Sequence, residues 1–155
     1  MATDLLAELK QSKPFRSLEQ EAHLNVVRTA TVLADAFDLL VKPFGVSAAQ
    51  YNVLRILQGA DPEGLCRNDL RNRLLRRMPD VTRLLDRMER AGLVTRARDS
   101  DDRRLVSTRI TQKGQRLLDK LDALVEKEHQ QRLGHLSDVQ LRTLIELLTL
   151  VRQRA

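Results

Sequence analysis

Twelve arginines and no lysine fall between Arg67 and Arg104, in a segment that also carries seven acids. The other 117 residues hold 15 basic and 14 acidic side chains, so nearly all of the chain's net charge of +6 sits in that one stretch. Arginine offers a planar fork that pairs bidentately with phosphate and with the guanine edge. A local basic cluster is the electrostatic footprint of a nucleic-acid binder. A run of charge is otherwise a solvated helix face, but that reading accounts less well for the exclusive use of arginine. Other chemistry is thinly represented. His129 and His135 are six apart, which is not one helical face, and His23 stands alone. Asp99, Asp101 and Asp102 suggest a divalent cation, but the glycine and distal glutamate of a calcium loop are missing. The single cysteine, Cys66, excludes an intramolecular disulfide and a cysteine-rich zinc site. No nucleophile elbow, phosphate loop or metal-ligand cluster is present, so no enzyme activity, catalytic residue, metal or cofactor is expected.

The elements that must carry this basic segment follow from periodicity. The 155 residues suit one compact core with helical extensions. No run approaches the roughly 18 apolar residues of a membrane span, and Met1 to Lys10 lacks the pattern of a secretory signal. A cytoplasmic protein is expected. An arm or short helix ends near Pro14. Ser17 to Gln20 has capping-box spacing, and Leu18, Ala22, Val26, Ala30, Leu33, Phe37 and Leu40 form one apolar stripe on a long helix that Pro43 stops. Ser47 to Gln50 is a second capping box, opening a helix with Val53, Leu54 and Leu57. A further helix is expected over Asn68 to Leu75, with Asn68 as its N-cap. Pro79 suits the first turn of the next helix, with Asp80 at the positive end of its dipole. Val81, Leu84, Leu85 and Met88 form that helix's buried face, and Gly92 is its left-handed stop.

The pattern then changes from period 3.6 to period 2. Leu93 to Arg98 and Leu105 to Ile110 read as a β-hairpin with a polar tip at Asp99-Ser100-Asp101-Asp102, the only sheet expected beyond a short piece near Leu65. Thr111 caps a helix carrying Leu117, Leu118, Leu121, Leu124 and Val125, and Ser137 to Gln140 is a third capping box before Leu144, Leu147, Leu148 and Val151. The fold class is mainly α: a winged helix-turn-helix with flanking long helices, about six helices plus a β-hairpin wing. The apolar faces of the terminal helices have little within one subunit to cover them, which suggests a second copy.

Two segments carry a family signature. Val81-Thr82-Arg83-Leu84-Leu85-Asp86-Arg87-Met88-Glu89, followed by Ala91-Gly92-Leu93-Val94, resembles the recognition helix and exit of the MarR family of regulators. Asp99-Ser100-Asp101-Asp102-Arg103-Arg104, followed by Ile110-Thr111-Gln112-Lys113-Gly114, resembles that family's wing and the start of its next helix. The resemblance covers roughly residues 17–153. One stretch departs from it. Many members carry a glycine in the turn and a serine or threonine before the recognition helix, whereas this turn is Leu75-Arg76-Arg77-Met78-Pro79.

The resemblance implies a sequence-specific, double-stranded-DNA-binding transcription regulator, a ligand-responsive repressor on a palindromic operator. A helix fits the major groove and its N-terminal half meets the bases. Pro79, Asp80, Thr82 and Arg83 lie on that half. Arg83 is expected to read a base or, alternatively, to pair with Asp86 or Asp80. Arg87 is expected on a base or phosphate, with Arg76 and Arg77 beside them in the turn. By resemblance, Arg104 enters the minor groove, Asp102 braces the wing and Arg103 lies close by. The family's effector, commonly a small aromatic or phenolic anion, points to Phe37, Phe44 and Tyr51, which as aromatics are also ordinary core residues. The expected organisation is an arm and dimerisation helix over 1–46, the DNA-binding domain over 47–111, and C-terminal dimerisation helices over 112–155.

Overall fold

In this computed structural model residues 4–98 and 106–153 are described. The wing tip, with Asp102, Arg103 and Arg104, lies outside the described residues. Contacts divide the chain into two compact units, one ending at Leu39 and the other beginning at Leu40.

The first unit contains α1 (Leu5–Glu8) and most of α2 (Leu18–Val41). Asp4 caps α1 through the amide of Leu6, Leu5 is buried, and Arg28 pairs with Glu8 at 3.5 Å. Half of the expected capping box opens α2: Ser17 Oγ accepts from the Gln20 amide at 3.2 Å, while Gln20 Oε1 accepts from Arg16 rather than from Ser17. Of the whole helix only Val41 is buried, and Leu18, Val26, Val27, Val32 and Leu39 are among its exposed apolar residues.

The second unit begins with α2's last residues and a 3₁₀ turn, Lys42–Phe44, that takes Pro43 in its first residues. There follow α3 (Ala48–Gln58), β1 (Leu65–Cys66), α4 (Arg67–Arg73), α5 (Val81–Arg90), β2 (Val94–Arg98), β3 (Val106–Ile110), α6 (Gln112–Leu133) and α7 (Asp138–Arg152). Both halves of the capping box at Ser47 are present, and the same is true at Ser137. The sheet is antiparallel in the order β1-β3-β2; Val94 faces Ile110 and Arg98 faces Val106, while Leu65 pairs with Thr108. The hairpin and the short piece near Leu65 are thus one three-stranded sheet. Leu54 from α3, Leu70 from α4, Leu84, Leu85 and Met88 from α5, Val94 from β2, and Leu118 and Leu121 from α6 form the fully buried core.

Two helix starts differ from expectation. α4 begins one residue early, at Arg67, and Cys66 rather than Asn68 is its N-cap; the Cys66 sulfur accepts from the Asp69 amide at 3.5 Å. It ends at Arg73 instead of Leu75, because Leu74 turns extended. α5 begins at Val81, leaving Pro79 outside the first turn. Asp80 supplies the cap, its carboxylate accepting from the Arg83 amide at 2.9 Å. A side-chain oxygen that satisfies a free amide of the first turn decides the start over proline's preference for that turn.

The exit of α5 is a Schellman-type stop. Gly92 has φ 71°, its amide bonds Glu89 O at 2.9 Å and that of Leu93 bonds Met88 O at 2.9 Å. Lys113 Nζ donates to Ala91 O and Thr111 Oγ1 to Gly92 O, each at 2.6 Å, so the first residues of α6 satisfy the carbonyls where α5 ends. Gly114 makes this junction close: a Cβ there would overlap the carbonyl oxygen of Leu93.

Candidate nucleic-acid interface

α5 has two chemically opposite sides. Val81, Leu84, Leu85 and Met88 are buried, while Thr82, Arg83, Arg87 and Arg90 are exposed. At about 100° per residue the three arginines fall within about 60° of one another, opposite the buried face. Arg83 leaves 84% of its side chain in solvent and rests against Asp80, Nε to Oδ2 at 3.0 Å. Of the two partners considered for it, the structure selects Asp80. The same carboxylate therefore caps the helix and holds the arginine. Exposed pairs of this kind contribute little stability, so the contact orients Arg83 without committing it.

The turn that departs from the family pattern presents Leu75, Arg76, Arg77 and Pro79 to solvent. The Leu75 amide donates to Asn52 Oδ1 of α3 at 2.9 Å. Arg67, at the start of α4, donates to Thr82 Oγ1 at 3.3 Å and so joins the same surface. Arg67 of α4 and the exposed arginines of α5 are thus joined on one basic surface beside the N-terminus of α5, an arrangement suited to phosphate contacts.

Sequence reasoning did not single out Arg67, Asn52 or Arg96. Arg96 is the least exposed arginine in an ion pair among the described residues, and it is bonded to two carboxylates. Its Nη2 lies 2.6 Å from Asp86 Oδ1 and 2.6 Å from Glu89 Oε2, its Nε 3.0 Å from Glu89 Oε2, and its backbone amide 3.2 Å from Glu89 Oε1. These bonds hold the Glu89 carboxyl below its usual range and keep Arg96 firmly charged. One signal for it was available: Arg96 is two residues from buried Val94, so it sits on the inward face of β2 and must have a partner there.

The aromatic residues are divided between the two units. Phe37 belongs to the first unit, Phe44 and Tyr51 to the second; all three are half-buried. Burial pushes the Tyr51 phenol above its ordinary value. Phe44 lines a cavity of about 270 Å³ together with Val46, Leu93, Lys113, Arg116 and Lys120, and Tyr51 is not on that lining. Among the described residues no cluster of three potential metal ligands occurs, and no helix is long and apolar enough to cross a membrane.

A helix-turn-helix with a β-hairpin beside it and an arginine-rich exposed helix face define a DNA-binding transcription regulator of the winged-helix class. The sequence profile of the MarR family matches residues 44–105. A MarR transcription factor from Planctomyces limnophilus of known crystal structure is 39% identical, with 88% of this chain and 99% of that chain covered and a TM-score of 0.68. The homoprotocatechuate degradative operon repressor of Escherichia coli is 32% identical over 95 residues, 61% of this chain and 63% of its own. The structure of Bordetella bronchiseptica BpsR, whose DNA binding is regulated by 6-hydroxynicotinic acid, is 23% identical with a TM-score of 0.76 over 90% of this chain and 98% of that one. The chain belongs to the MarR family.

Proposed function

We propose that this regulator is a ligand-responsive repressor that acts in the cytoplasm as a homodimer on an imperfectly palindromic operator. The observation that carries the DNA-reading part is the exposed Arg83, Arg87 and Arg90 face of α5, opposite its four buried apolar side chains. Arg83 reads a base in the major groove, Thr82 and Arg87 contact base or phosphate, and Arg76 and Arg77 contact flanking phosphates, with Pro79 and Asp80 shaping the approach. Arg104 enters the minor groove, with Asp102 and Arg103 supporting it; narrow A·T tracts favour such an insertion.

The dimer reading rests on apolar surface that the chain leaves uncovered. α7 has no buried residue, and Ile145, Leu147, Leu150 and Val151 are each more than half exposed. A second copy on residues 1–46 and 112–155 covers such faces and sets two reading heads, each within 47–111, about one DNA turn apart. Repression follows the E. coli relative's role. Ligand response follows BpsR, and the cavity at Phe44, with an apolar wall and the cations of Lys113, Arg116 and Lys120, suits a small aromatic or phenolic acid.

Selection of bound duplexes from a random pool tests the operator: a twofold-symmetric half-site pair supports the reading, and an unstructured pool overturns it. In gel shifts at fixed salt on the selected duplex, Arg83→Ala and Arg104→Ala each bind at least tenfold more weakly. Both variants binding as the parent does would remove this mechanism.

A further inference from the structure

We propose that Arg96 is a positioning residue for DNA reading: it fixes the rotation of α5 against the base of the wing, and through it the aim of Arg83 and Arg87. The proposal rests on the DNA-binding reading. It starts from the placement of the two carboxylates. Asp86 and Glu89 are one turn apart on a flank of α5 that separates the arginine face from the buried face. Arg96 projects from the middle of β2 and holds both, with three side-chain bonds of 2.6–3.0 Å, while its own amide adds a fourth bond, the third to Glu89. Only 23% of the Arg96 side chain reaches solvent.

The buried face of α5 supplies attraction, but apolar burial is non-directional and constrains rotation about the helix axis weakly. A guanidinium fork bonded to two carboxylates is directional. For a helix whose side chains reach about 6 Å from the axis, a rotation of about 20° moves a side-chain tip by about 2 Å. That shift breaks a hydrogen bond to a base edge, whose donor–acceptor distance varies by only about half an ångström. Phosphate contacts, made through longer-range attraction, survive it. The clamp also engages the acid that stands three and four residues from Arg83 and Arg90, so Asp86 is committed to β2 and not to the reading face.

The test uses the full-length protein in four forms: parent, Arg96→Met, Asp86→Asn with Glu89→Gln, and all three changes together. Each is titrated at one salt concentration against the selected duplex and against a scrambled duplex of equal length. The ratio of the two affinities removes general effects of charge and of folded fraction, which a merely structural role would move in parallel. The expected result is a ratio lowered at least tenfold by Arg96→Met and by the acid pair alike, and lowered no further in the triple variant. An unchanged ratio in Arg96→Met overturns the proposal. So does a parental ratio in the acid-pair variant, which would make Arg96 only a neutraliser of two carboxylates. If Arg96→Met does not fold by circular dichroism, Arg96→Lys carries the same expectation, because an ammonium lacks the planar fork. A parent that binds neither duplex defeats the DNA reading itself, an outcome distinct from these.

Discussion

Helices α5 and α7 are both amphipathic, yet the chain treats their apolar sides differently. α5 has ten residues and buries four of them against α4, β2 and the rest of the core. α7 has fifteen residues, is apolar at Leu144, Ile145, Leu147, Leu148, Leu150 and Val151, and buries none. Hydrophobic burial is a dominant favourable contribution to folding. The contrast therefore separates a helix stabilised by its own chain from one whose stabilising surface is still open. The helix that carries the exposed arginines has its position settled by its own core, and the C-terminal helix has apolar surface left open.

The largest effect expected from this contrast is in the α5 core. Leu84→Ala or Met88→Ala removes about 2–5 kcal/mol of stability, read by urea denaturation at any protein concentration. A loss below about 1 kcal/mol would mean that the face is not packed as described. Next is Leu147→Asp on α7, which places a charge where a second copy would sit. Self-association by sedimentation weakens at least tenfold while the monomer keeps its helical circular dichroism. If the variant instead unfolds as a monomer, α7 is held by its own chain and the contrast collapses. Asp80→Ala sharpens the α5 side, at a cost of about 1 kcal/mol in thermal stability for the lost cap. An unchanged melting temperature would show that the cap contributes nothing.

The smallest effect is a pH dependence. Glu89 titrates lower in the folded protein than in the unfolded chain because Arg96 bonds its carboxylate. Its stabilising contribution is thus complete above the ordinary glutamate value of about 4.3 and fades as pH falls through the lower folded value. The melting-temperature gap between parent and Glu89→Gln closes with acidification below that range. A gap that stays constant from pH 7 to pH 3 would remove the Arg96 pairing as its cause.

Short-range chemistry made much of this fold readable in advance. The caps at Ser47, Thr111 and Ser137, the stop at Gly92 and the buried set of α5 each depend on residues within a few positions of one another. Cys66 escaped because sulfur is a poor acceptor and rarely counts as a cap, so Asn68 looked better. Pro79 misled because its helix-start preference competes with Asp80, and only the amide bond to Arg83 decides between them. At the interface, the arginine face was visible as spacing, and the choice of Asp80 over Asp86 for Arg83 was not. Asp86 is taken by Arg96, ten residues away on a strand, and no local pattern reports a contact of that kind.

Gly114 has a mechanical consequence. With no side chain between the first turn of α6 and the Leu93 carbonyl, the two backbones bear directly on each other at the exit of α5. α6 then extends for 22 residues to Leu133, a rod about 33 Å long seated on the core by Leu118, Leu121 and Val125 in its first two-thirds. A tilt of about 5° over that length corresponds to about 3 Å at the far end. Whatever grips the distal end of α6 therefore holds the long arm of a lever, and a small movement beside the exit of α5 accompanies a larger one at Leu133.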